Sequence, residues 1–101
     1  MSNEKIRALK PDDLERIAGR FRALGEPMRL KILQAVCKSP RTVGDIVTAT
    51  GGMQANVSKH LALLAAAGIL ARKKDGQRVF YGMKDQLAVR LCELVRTQIA
   101  A

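Results

Sequence analysis

Between Asp12 and Gly25 the apolar residues Leu14, Ile17, Ala18, Phe21 and Leu24 recur at spacings of three and four, which lays them along one face of an α-helix. Asp12 or Asp13 can cap its start, and Gly25 can end it. Pro27 suits a first helical position, and Leu30, Leu33, Val36 and Cys37 predict a second helix over Met28 to Cys37, closed by Lys38-Ser39-Pro40. Thr42 with Asp45 three residues on has the form of a capping box, Asp replacing the usual Glu, and opens a short helix through Ile46 and Val47 to Thr50. Gly51-Gly52 then forms a turn into a fourth helix, from about Gln54 to Ala67, with Val57, Leu61 and Leu64 as its core stripe and Gly68 as its C′ residue.

Beyond Gly68 the pattern changes. Ile69 to Lys73 and Arg78 to Met83 are short strand candidates around Lys74-Asp75-Gly76-Gln77, and Asp-Gly is a strong hairpin signal. Asp85 can cap a last helix carrying Leu87, Ala88, Leu91, Cys92, Leu94, Val95 and Ile99, a stripe wider than a monomer of this size needs. The predicted fold is therefore mainly α with a small β-hairpin wing. Two helices joined by a tight Gly-containing turn and followed by a two-stranded ribbon describe a winged helix-turn-helix. With no repeat or linker in sight, residues 1–101 are expected to form a single domain.

Charge directs the search for a partner. Eighteen Lys and Arg against nine Asp and Glu give +9, which favours a polyanion. Three aromatic residues (Phe21, Phe80, Tyr81) and no Trp leave little for base-stacking platforms, so duplex DNA is expected over single strands or RNA. No apolar run approaches the ~20 residues of a bilayer span, so no membrane partner is expected. The start, MSNEKIRALKPDD, has no apolar region of signal-peptide type, which predicts a cytoplasmic protein with its two cysteines as thiols. No paired carboxylates, nucleophile–base arrangement or Gly-rich phosphate loop stands out, so neither an enzyme nor a cofactor is expected.

On the fourth helix, taking Val57 as the buried centre and advancing about 100° per residue leaves Gln54, Ala55, Asn56, Ser58 and Lys59 away from the core near its N-terminal end. That end reaches base edges in helix-turn-helix docking. Gln and Asn can pair with adenine, Lys with guanine and Ser with several partners, while Ala55 can meet a thymine methyl. Gln54, Asn56, Ser58 and Lys59 are the expected base-facing set, with Ala55 close by. Arg72, Lys73, Lys74 and Arg78 bracket the hairpin tip and are expected on phosphate or in the minor groove. His60 lies about 60° from the core centre, which predicts a half-buried packing or positioning residue with a backbone group as an available partner, rather than a metal ligand.

The segments FRALGEPMRLKIL, TVGDIVTATG, QANVSKHLALLAAAGIL and RKKDGQRVFYGM, spanning Phe21 to Met83, together resemble the ArsR/SmtB family of bacterial dimeric winged-helix repressors. The resemblance implies a homodimer joined through the first and last helices, and the uncovered apolar faces of both helices support it independently. It also implies a repressor of a near-palindromic operator, released by an inducer. His60 stands where the SxHL pattern of the family has its histidine. Met53 departs from it, because the family usually has a capping Ser there and a methionine cannot accept from the free amides.

The family's metal motifs do not carry over. TVGDIVTATGGMQANVSKHL contains no Cys, DQLAVRLCELVRTQIA contains no His, and a zinc site wants about four N or S ligands. No metal site is therefore expected, although a thiophilic metal or metalloid could recruit a thiol from a partner chain. The thiol-switch branch of the family resembles this chain better, with one Cys on the second helix and one on the last. The residue that follows RLxIL there is Gln34 here, and Cys37 lies three residues on, displaced about 60° around the helix and one turn along it. Attack of a thiolate on a persulfide, polysulfide or peroxide, then closure between Cys37 and Cys92, would release the DNA. The bland alternative makes both cysteines buried small hydrophobes. A rival of another class is a winged-helix protein-interaction module.

Overall fold

The computed structural model describes residues 3–100 of the chain. The element order is α1 (Asn3–Arg7), α2 (Pro11–Leu24), α3 (Pro27–Val36), β1 (Arg41–Thr42), α4 (Val43–Thr50), α5 (Gln54–Ala66), β2 (Leu70–Asp75), β3 (Arg78–Met83) and α6 (Leu87–Ile99). This is the expected mainly helical winged helix-turn-helix, with two short additions. The first is α1, which buries no residue and so leaves no periodic apolar signature in the sequence. The second is β1, whose two residues are too few to show a period. β1 pairs antiparallel with β3, so the wing is a three-stranded sheet of order β1-β3-β2 rather than a bare hairpin.

The helix starts follow local chemistry, with small corrections. α2 begins at Pro11 with Lys10 in the cap position, two or three residues ahead of the expected Asp12 or Asp13, and Asp13 acts from inside its first turn by accepting from the Lys10 N–H at 3.0 Å. On α3 the Glu26 carboxylate accepts from the Arg29 N–H at 3.0 Å and Pro27 takes the first position, where its missing N–H costs nothing. α3 stops at Val36, leaving Cys37 at the C-cap instead of within the helix. Thr42 caps α4 by accepting from the Asp45 N–H at 3.2 Å. Asp85 serves α6 by accepting from the Leu87 N–H at 2.9 Å, while Gln86 takes the cap position. The hairpin turn is shorter than expected. Gly76 and Gln77 alone make it, with Gly76 at φ 63°, and the ladder runs out to Asp75 opposite Arg78.

The core is built by the central elements. Ile32, Val36, Ile46, Val57, Leu61 and Leu64 are sealed from solvent, and Leu70 and Tyr81 from the sheet, with Ile69 just before β2, close over them. From α2 and α6 only Ala23 and Ala88 are buried. The large side chains of those helices stay outside: Phe21 is 57% exposed, Leu94 65% and Ile99 79%. Among the described residues no helix is long and apolar enough to cross a membrane.

Candidate nucleic-acid interface

The turn between α4 and α5 is held by its own chemistry. Gly51 closes α4 in the left-handed conformation at φ 72°, which a side chain would strain. Thr50 donates its hydroxyl to the Ile46 carbonyl at 2.8 Å and accepts from the Gly52 N–H at 3.3 Å. Gly52 is a matter of space, since a β-carbon there would stand 2.8 Å from Val57 Cγ2 and 3.1 Å from Met28 Cε. The turn therefore fixes where α5 begins and at what angle it leaves the core.

On α5 the helical pitch works as expected. Val57, Leu61 and Leu64 are fully sealed, and Gln54, Ala55, Asn56, Ser58 and Lys59 all face solvent. The start of the helix is unusual: Met53 occupies the cap position with 80% of its surface exposed and makes no side-chain capping bond. The first amides of α5 thus face outward without a side-chain acceptor, beside Gln54 and Asn56.

The wing divides its bases between two faces. Arg72 lies opposite Tyr81 and Lys74 opposite Val79, while Lys73 lies opposite Phe80. Because directly opposed residues project to the same side of a sheet, Arg72 and Lys74 share the face of buried Tyr81, whereas Lys73 and Arg78 share the other with Phe80. Arg78 stacks its guanidinium over the Phe80 ring, 5.2 Å from the centroid. The four bases are exposed and lie along the wing and its tip, but they are not one continuous face.

His60 is partly buried, and its partners differ from the expectation. The ring bonds to side chains, not to backbone: Nδ1 lies 3.2 Å from an Arg29 guanidinium nitrogen, and Nε2 lies 3.5 Å from a Glu26 carboxylate oxygen. Arg29 also donates through Nε to the Ala23 carbonyl at 2.6 Å and through its second amino group to the Arg22 carbonyl at 3.1 Å. The N–H groups of Met28 and then Arg29, with the Arg29 charge and His60 close by, hold the Glu26 carboxyl below its ordinary value of 4.5, against the desolvation that raises it. Arg29 and Glu26 escaped the reading of the sequence, since in LGEPMRLKIL they stand as one charged pair among many and their partner is distant in the chain.

The two thiols line one cleft. A space of about 540 Å³ between α3 and α6 is bordered by Leu30, Leu33, Gln34, Cys37, Val89 and Cys92. Gln34 and Cys37 both border it, so the three-residue displacement along the chain keeps the same side. Both cysteines are free and partly buried, and Cys37 Sγ donates to the Gln34 carbonyl at 3.3 Å.

Comparison with known proteins places this architecture. Residues 26–72 match the family described as bacterial regulatory protein, arsR family. The chain is 32% identical to a probable mercury resistance operon repressor of Streptomyces lividans, over 95% of this chain and 74% of that protein. The homodimeric winged helix-turn-helix DNA-binding domain of a possible ArsR-family transcriptional regulator from Mycobacterium bovis superposes with a TM-score of 0.76 at 30% identity, covering 86% of this chain and 81% of that one. The transcriptional repressor BigR from Xylella fastidiosa shares the fold over 100% of this chain and 99% of its own, with a TM-score of 0.83 at 22% identity.

Proposed function

The chain belongs to the arsR family of bacterial regulatory proteins and is a DNA-binding transcriptional repressor, and we propose that it acts as a homodimer on a near-palindromic operator and is released by thiol chemistry at Cys37 and Cys92. The observation that carries the thiol reading is the shared cleft, which both cysteines border from different helices. With peroxide as oxidant, the Cys37 thiolate displaces hydroxide to give a sulfenic acid, so sulfur loses two electrons to the peroxide oxygen. The Cys92 thiol then attacks that sulfur, forming the disulfide and expelling water. A persulfide reacts in the same sense, transferring its outer sulfur to Cys37 with a thiolate as leaving group, and Cys92 then displaces hydrosulfide.

A link between the end of α3 and the middle of α6 would tie a core helix to a helix whose apolar side is free for a second copy. Because half-sites lie ~34 Å apart on one side of a duplex, a small rotation of the two chains is enough to spoil simultaneous docking. In each half-site Gln54, Asn56, Ser58 and Lys59 would face base edges with Ala55 beside them, and Arg72, Lys73, Lys74 and Arg78 would hold the backbone. A thiophilic metal ion is the second reading, favoured by the likeness to a probable mercury resistance operon repressor. Two thiols in one cleft suit a soft ion of low coordination number.

One experiment separates these readings. Operator binding is measured for the wild type, Cys37→Ser and Cys92→Ser, each with a persulfide donor, peroxide or mercury(II). Release of wild type alone by the oxidants supports the thiol switch, and release by mercury(II) alone supports the ion. Equal responses of all three proteins remove both.

A further inference from the structure

We infer that His60 controls operator discrimination as a proton-sensitive positioning residue, with the neutral ring, accepting from Arg29 and facing Glu26, as the form that holds α5 ready for specific docking. The inference rests on α5 being the base-reading helix. Arg29 fixes the chemistry, because a guanidinium only donates. A nitrogen 3.2 Å from it must accept, so Nδ1 carries the lone pair and the hydrogen sits on Nε2, toward Glu26.

The position of this ring matters because of what Arg29 holds at the same time. Through Nε and its second amino group it grips the Ala23 and Arg22 carbonyls, where α2 ends. One side chain thus joins the end of α2 to the middle of α5, while Glu26 caps α3 and approaches the same ring from its other edge. Glu26 and Arg29, both from α3 and its cap, are the ionisable groups bonded to the ring among the described residues. The other elements packed on α5 bring Ile46 and Thr50 from α4 and Leu70 from β2 to the core.

A proton added to the ring has one place to go, and that is Nδ1. The hydrogen bond from Arg29 then breaks, and two cations face each other at the same separation. The ring is drawn toward Glu26, and the tie between α2 and α5 opens. Non-specific binding gains from the added positive charge, whereas specific docking loses a defined helix pose. The ratio of operator to random-sequence affinity is therefore the quantity that reports the effect.

The test follows that ratio between about pH 8 and about pH 5 for the reduced full chain and for His60→Gln, which can accept and donate but carries no titrating group. The wild-type ratio is expected to fall by about tenfold toward acid, in keeping with one hydrogen bond to a charged group, while that of the Gln variant stays level. A level wild-type curve, or a variant that follows the wild type, overturns the inference. Lack of operator preference at pH 8 in the wild type would instead remove the DNA-reading role of α5. Should His60→Gln not fold, the ring can be read directly, because His60 is the single histidine of the chain. In an untagged ¹⁵N-labelled sample at pH 8 the Nε2–H tautomer is expected, and the Nδ1–H tautomer overturns the inference.

Discussion

Gly52 lies against Val57 so closely that a β-carbon on the glycine would stand 2.8 Å from the valine Cγ2. Val57 is fully sealed and cannot swing away, and Met28 closes the other side. Gly52→Ala is expected to destabilise the fold by about 1–3 kcal/mol, the usual cost of forcing a methyl into a packed site. Urea unfolding of the two proteins checks this, and an unchanged midpoint would show that the turn yields freely.

Met53 leaves the start of α5 without a side-chain acceptor. Met53→Ser supplies one, and the expected gain is about 1 kcal/mol of stability. Thermal unfolding measures it. No gain would mean that the free amides already have a partner.

Base-facing and backbone-facing residues should fail differently. Gln54→Ala and Lys59→Ala are expected to cost about 1–3 kcal/mol of specific binding for each base pair they read, and less on random sequence. Lys73→Ala and Lys74→Ala should weaken both alike and reduce the slope of log K against log salt by about 0.9 for each phosphate left without its cation. Titrations at several salt concentrations distinguish the two classes, and identical salt slopes in all four variants would remove the division.

The exposed Phe21 on α2 and Leu94 on α6 predict the dimer face. Leu94→Glu places a charge that burial against a second copy would strand, so it should shift the sedimenting species from two chains to one. A one-chain wild type would remove the homodimer.

Glu26 ties acid behaviour to the α3 cap. Its carboxyl is held below 4.5 in the folded chain, so its contribution to stability is present above that value and disappears as the pH falls through the lowered one. The stability difference between wild type and Glu26→Gln should therefore be largest near neutral pH and shrink as the pH falls below 4.5. Denaturant titrations across that range test the sign, since a difference that grows on acidification would contradict the assignment.

Much of this protein was written locally. The stripe Val57, Leu61 and Leu64 and the turn glycines determined α5 and its outward residues, because a helical period and a positive φ are properties of neighbouring positions. The same holds for Thr42 before α4 and Asp85 before α6, although the cap of α6 moves one residue on to Gln86 and that of α2 moves two or three residues back, to Lys10 before Pro11. The sheet was only half legible, since β1 owes its existence to Arg41 and Thr42 finding Tyr81 and Phe80 across the fold.

Tertiary structure alone decided the contacts between distant residues. A wing read as one basic run became two faces once the register set Arg72 opposite Tyr81 and Lys73 opposite Phe80. Cys37 and Cys92 came to border one cleft, and His60 found Arg29 and Glu26 rather than backbone. Such pairings depend on how α3, α5 and α6 lie on one another. Periodicity tells which face of a helix is buried, and only packing tells what that face meets.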